Sequence, residues 1–111
     1  MEQDQVIDNI ILELRRGVLV LAVMCQLETE QYGYSLIKLL ADHGLEIDQG
    51  TLYPLLRRLE TQGLLESKWR VDEARPRRYY VLSPQGGVLL EQLKGEWSRL
   101  AGVINRMLGT G

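Results

Sequence analysis

The chain has 111 residues with 13 basic and 15 acidic side chains, a net charge of -2, and 45% apolar residues. That length favours one domain with a modest core, and the apolar content is too high for disorder. The longest apolar stretch, Val18 to Cys25, is far shorter than the about twenty residues that span a bilayer, and the acidic N-terminus MEQDQVIDN is unlike a signal peptide, so no membrane partner is expected.

From Asp4 to Leu14 the apolar residues Ile7, Ile10, Ile11 and Leu14 recur at a helical period. Gly17 weakens or breaks this helix. Val18 to Leu27 then continues as a nearly all-apolar stretch, buried against a core or a partner. Cys25 lies within it. A single cysteine forms no intrachain disulfide, which points to a reducing, cytoplasmic setting and to a small buried hydrophobe. Thr29-Glu30-Gln31 reads as a turn or cap. Helix formers follow from about Tyr32 to His43, with Leu36, Ile37 and Leu40 on one face and Gly44 as C-cap.

The next helix is signalled at both ends. Asp48 is its N-cap, and Ile47 and Leu52 flank it as a hydrophobic staple. Leu52, Leu55, Leu56 and Leu59 make the buried stripe. Gly63 fits C′, with Leu64 placed for the contact that follows it. Two helices joined by so short a loop outline a helix-turn-helix. The period then changes. Leu64 to Val71 reads as a strand, with Leu65, Ser67 and Trp69 on one side and Glu66, Lys68 and Arg70 on the other. Asp72 to Pro76 is the connection, and Arg77 to Leu82 the returning strand of a hairpin. A lone hairpin is marginal in water, so it should lean on the helices.

Ser83-Pro84 is an N-cap followed by proline at the first helical position. The last helix runs to about Leu108, and Leu90, Leu93, Trp97, Leu100, Ile104 and Met107 form a heptad seam along it. So long a seam after a small domain calls for a partner, and a homodimer is the simpler inference, helped by the apolar N-terminal helix. The expected fold is therefore mostly α with a β-hairpin wing: an N-terminal helix and winged helix-turn-helix over residues 1–82, then a dimerisation helix over 83–111.

Charge placement bears on function more than its total. Residues 1–50 carry three basic and nine acidic side chains, whereas residues 51–80 carry seven basic and four acidic. That is a basic island on an acidic body, the footprint of a nucleic-acid surface. With the leucines of the Asp48–Gln62 helix turned inward, Gln49, Thr51, Tyr53, Arg57 and Arg58 are left for other faces. Glutamine pairs with adenine, arginine with guanine or phosphate, and hydroxyls with phosphates or bases. Tyr53 is equally suited to packing on the preceding helix. The wing adds Arg75, Arg77 and Arg78 around Pro76, near a backbone or minor groove. Arg77 and Arg78 point to opposite faces of a regular strand. Tyr79 and Tyr80 divide between stacking on single-stranded bases and, in better accord with a two-helix reader of duplex DNA, core and cover roles.

The segments RRGVLVLAVMCQL, YGYSLIKLL, GTLYPLLRRLETQGLLES and RPRRYYVLSPQG together resemble the PadR family of bacterial transcriptional regulators, over about Leu14 to Leu108. The short terminal helix resembles the compact subclass. The resemblance implies a homodimeric winged-helix protein, usually a repressor, that binds a palindromic double-stranded operator near its own or a neighbouring gene. It also implies a small planar aromatic effector at the dimer centre, beside a tryptophan of the last helix. GEWSRL matches that segment, which makes Trp97 the residue carried over. Leu93, Leu100, Ile104 and Val18 are grouped with it at the pocket and dimer interface. A flat ring on the seam can flank a cavity that takes a flat ligand. Two departures stand out. The wing turn is DEARPRR where the family often has glycines, and the chain starts about ten residues earlier than compact members, so VIDNIILEL either lengthens the dimerising helix or covers the ligand site.

Two other classes are weighed against this reading. The residues show no metal-ligand spacing, phosphate loop or nucleophile–base pair, so neither an enzyme nor a cofactor is expected. A winged-helix protein-interaction module without sequence-specific DNA binding is the alternative, on the strength of the acidic total and the seam. Arginines clustered on the Gln49 side oppose it.

Overall fold

Helix α1 (Glu2–Gln26) runs through Gly17 without a break. Glycine in a helix interior costs about 1 kcal/mol relative to alanine. Burial of Leu19, Val23 and Met24 just beyond it outweighs that, at roughly 1.5–3 kcal/mol for each fully buried side chain. The expected weak point is therefore absorbed, and α1 is a rod of about 37 Å at 1.5 Å per residue. The computed structural model describes residues 2–110.

After α1 come a short strand, β1 (Gln31–Tyr32), then α2 (Gly33–Asp42) and α3 (Gln49–Thr61), the wing strands β2 (Leu65–Asp72) and β3 (Arg75–Leu82), and α4 (Pro84–Leu108). The Thr29–Gln31 turn thus gives way to a strand at its end. Gln31 pairs with Tyr80 and Tyr32 with Tyr79, which makes the hairpin a three-stranded antiparallel sheet of order β1-β3-β2. The chain is a winged helix-turn-helix with a long terminal helix.

The core is formed where the two elements of the helix-turn-helix meet α1. Val23, Met24 and Leu27 pack with Leu36 and Leu40 of α2 and Leu52, Leu56 and Leu59 of α3, closed by Leu65, Tyr80 and Leu90. Ile37, Ile47 and Leu55 are partly buried at its margin. The start of α3 and the ends of α2 and α3 follow from the residues that flank them. Asp48 accepts a hydrogen bond from the Thr51 N–H at 2.8 Å, which holds its carboxyl below the usual aspartate range. Past α2, Gly44 N–H donates to Ala41 O and Leu45 N–H to Leu40 O. Past α3, Gly63 N–H donates to Glu60 O and Leu64 N–H to Leu59 O. Each is a Schellman ending.

The start of α4 is fastened to the end of α3. Ser83 is buried, accepts from the Gly86 N–H as N-cap, and donates its hydroxyl to Gly63 O at 2.6 Å. Its own N–H donates to Leu64 O at 3.0 Å. Gly86 presses against the Leu64 carbonyl so closely that any Cβ there would overlap it.

The wing turn is tighter than the Asp72–Pro76 connection expected from composition. Asp72 pairs with Arg75, which leaves Glu73 and Ala74 as the whole turn. Their φ values are 52° and 65°, so two residues with a Cβ hold the left-handed conformation that such hairpins usually give to Asn or Gly. For Ala74 that conformation costs about 1–2 kcal/mol. An Ala74→Gly chain is expected to gain about 1 kcal/mol after glycine's larger unfolded-state freedom is counted, and to melt roughly 5 °C higher. A thermal melt followed by circular dichroism reads this directly; an unchanged or lower midpoint would mean that the turn is not strained.

Candidate nucleic-acid interface

At 100° per residue, the buried stripe of α3 leaves Gly50, Pro54, Arg57 and Thr61 at the centre of its outward face. Gln49, Tyr53 and Glu60 lie on one flank, and Thr51 and Arg58 on the other. Gln49, Thr51, Arg57 and Arg58 are all exposed. Neither Arg57 nor Arg58 has an ion-pair partner among the described residues. Pro54 lacks the N–H that would serve the Gly50 carbonyl, so that acceptor faces outward without its helical donor. The centre of the face is thus low and backbone-rich, with Arg57 rising from it.

Tyr53 takes the packing role. Its ring is half-buried and lies against Gly33 at the start of α2, where any Cβ would overlap the ring. The YGY motif therefore needs its glycine because α3 supplies a tyrosine.

The wing arginines separate as strand alternation requires. Arg78 faces α3: its Nη2 donates to Glu60 Oε1 at 3.0 Å and its Nε to Ser67 Oγ at 3.0 Å, while the Ser67 hydroxyl donates to Glu60 Oε2. Arg78 thus has partners within its own chain and links α3 to the hairpin. Arg77 lies on the opposite face, 4.5 Å from the Tyr32 ring centre. Arg75, at the turn, is exposed and without an ion pair among the described residues. Within the hairpin Tyr79 donates to Asp72, which pushes the phenol above its usual range, and Arg70 sits 4.1 Å over the Tyr79 ring and pairs with Glu30, just before β1. Tyr80 is in the core and Tyr79 covers the hairpin. Glu60 and Trp69 were not singled out for this surface from the sequence, because their partners lie on other elements.

A concavity lies between α1, α2 and α4. It has a volume of about 460 Å³ and includes Val18, Cys25, His43, Lys94 and Trp97 in its wall. Trp97 and Val18 are thus brought together. Leu93 packs on the core, while Leu100 and Ile104 lie further along α4, outside the cavity. Cys25 is half-buried, and that burial pushes its thiol up. His43 ends α2, with Nδ1 at 2.8 Å from Leu39 O. Lys94 is paired with Glu91 at 2.9 Å and Glu28 at 3.8 Å.

Two apolar stripes are uncovered. On α1 they are Val6, Ile7, Ile10, Ile11 and Leu14; on α4, Trp97, Leu100, Ile104 and Met107. Exposed apolar stripes of this extent are a common feature of association surfaces. No helix among the described residues is long and apolar enough to cross a membrane.

Residues 20–92 match the family described as the transcriptional regulator PadR-like family. The chain is 40% identical over 74 residues to the transcriptional regulator Rv3488 of Mycobacterium tuberculosis, covering 67% of this chain and 69% of that one. It is similar to the crystal structure of a PadR family transcriptional regulator from Eggerthella lenta, with a TM-score of 0.85 and 44% identity over 100% of this chain and 99% of the other. A PadR-like transcription factor from Bacteroides fragilis aligns with a TM-score of 0.76 and 33% identity, over 89% and 98% of the two chains.

Proposed function

Because the chain belongs to the PadR-like family of transcriptional regulators, we propose that it works as a homodimeric, sequence-specific repressor on a palindromic double-stranded operator. It is a regulator and not an enzyme. The observation that carries the proposal is the outward face of α3, where Gln49, Thr51, Arg57 and Arg58 are exposed and the two arginines are unpaired among the described residues. An acidic chain that holds these cations free on its helix-turn-helix has a surface suited to phosphates and base edges. Each protomer places α3 in one major groove, with the two sites about one helical turn apart. Arg75 and Arg77 serve the wing. Arg78 and Tyr53 hold the two reading elements in place.

The uncovered stripes of α1 and α4 support a second copy of the chain as the partner, with α4 as the dimerisation element. The cavity beside Trp97 lies within the size range of small-molecule sites and supports a planar aromatic effector. For such a ligand to release the operator it must bind the free and DNA-bound arrangements with different affinity.

The test is anisotropy titration of a labelled duplex from the region upstream of the protein's own gene, against an unrelated duplex, at several salt concentrations. Preference for the upstream duplex by a factor of about 10³ or more, weakening with salt, is expected. Equal, weak binding to both overturns sequence-specific repression at that site and favours a protein-binding role.

A further inference from the structure

Resting on the DNA-reading proposal above, we infer that the groove between the wing and the first turns of α2 and α3 seats one sugar–phosphate strand, with Tyr34 and Trp69 as its uncharged contacts. The groove has a volume of about 370 Å³, and Tyr34, Tyr53, Trp69, Arg75, Arg77 and Arg78 are among its lining residues. None of the residues lining it is acidic, although the chain as a whole carries more acidic than basic groups. Tyr34 and Trp69 are each 64% exposed. They lie apart from the α1 and α4 stripes, so a partner seated on those stripes leaves them uncovered.

The placement follows from geometry. A helix in a major groove and a hairpin in the adjacent minor groove straddle the strand that separates the two grooves. That strand must therefore cross the space between helix and hairpin, which is where this groove lies. Its walls are preset. Arg78, held by Glu60 and Ser67, lies 5.9 Å from the Trp69 ring centre and supports it from within the sheet. Tyr34 stands in the first turn of α2, and Gly33 brings the N-terminal end of that helix, with its partial positive charge, onto the same groove. The Tyr34 hydroxyl suits a phosphate oxygen, and the indole offers an N–H donor and a flat face for a deoxyribose.

Contacts of this kind leave a distinctive signature. They add affinity without releasing counterions, and they add it whatever the base sequence. The experiment is the same anisotropy titration across salt, on operator and unrelated duplex, with Trp69→Ala, Tyr34→Phe and, as the charged contrast, Arg75→Ala. Both test side chains are mostly exposed, so the core is left intact, and a thermal melt of each variant verifies it. Trp69→Ala and Tyr34→Phe are expected to weaken both duplexes alike, by about 3- to 10-fold, with an unchanged salt slope. Arg75→Ala is expected to lower the slope by about one. Unchanged affinity in either test variant, a loss confined to the operator, or a change in slope overturns the strand seat. If the wild type fails to prefer the operator, the repressor reading fails by itself, and the unrelated duplex still decides the groove.

Discussion

An Ile104→Asp chain is expected to be a monomer at concentrations where the wild type is a dimer, and to bind the operator at least about 100-fold more weakly. Ile104 is 50% exposed and lies between Leu100 and Met107 on the uncovered stripe of α4, outside the intrachain core. In the proposed dimer its burial against a second copy would place a carboxylate among apolar side chains, and an unpaired buried charge costs several kcal/mol. The substitution enters twice in a symmetric interface. The operator loss follows from geometry, because two linked reading heads gain about 10²- to 10⁴-fold over one by effective concentration. Sedimentation or light scattering gives the mass, and anisotropy gives the affinity. A dimeric Ile104→Asp chain with wild-type affinity would remove α4 from the interface. The wild-type far-ultraviolet spectrum should persist, since the intrachain core is untouched.

Much of this fold was readable from local chemistry. As helix caps, Asp48, Gly44, Gly63 and Ser83 bond to residues within five positions, so their types at those spacings announce helix ends. The leucine stripe of α3 is readable because helical period is a local property of the sequence. What could not be read depends on distant partners. Gly17 looks like a break until the buried face of Leu19, Val23 and Met24 is set against its cost. β1 is only two residues long and exists because Tyr79 and Tyr80 come to it from across the chain. Arg78 reads as a free cation beside Arg77, and only the fold brings Glu60, 18 residues away, within hydrogen-bond distance of it. Glu73 and Ala74 carry no turn signature at all, so composition alone places a longer connection there than the two-residue turn of the fold.

The second large effect concerns Gly86. Gly86→Ala is expected to cost about 3 kcal/mol and to lower the melting midpoint by roughly 15 °C, at the upper end for overpacking. The added Cβ meets the Leu64 carbonyl oxygen, which is backbone and already accepts the Ser83 N–H, and behind it the Leu82 side chain. Relief requires α4 to lift from the α3–β2 junction, which breaks the Ser83 bonds to Gly63 and Leu64 as well. The neighbouring Gly87 has open space around its Cβ position, so Gly87→Ala serves as the control and is expected to be neutral or slightly stabilising through helix propensity. Chemical denaturation of the two variants decides the point, and equal stability would show that the close approach at Gly86 is readily relaxed.

The tie of Arg78 and Ser67 to Glu60 bears on which operators suit the proposed repressor. It links the proposed reading helix to the wing, so that each protomer of the proposed dimer would act as a caliper for one stretch of duplex. A caliper of that kind measures groove width. Where a sequence is too wide or too stiff to match it, the DNA must bend or narrow to fit, at a cost set by its stacking steps. Base pairs lying between the two prongs, touched by no side chain, are then selected for their deformability.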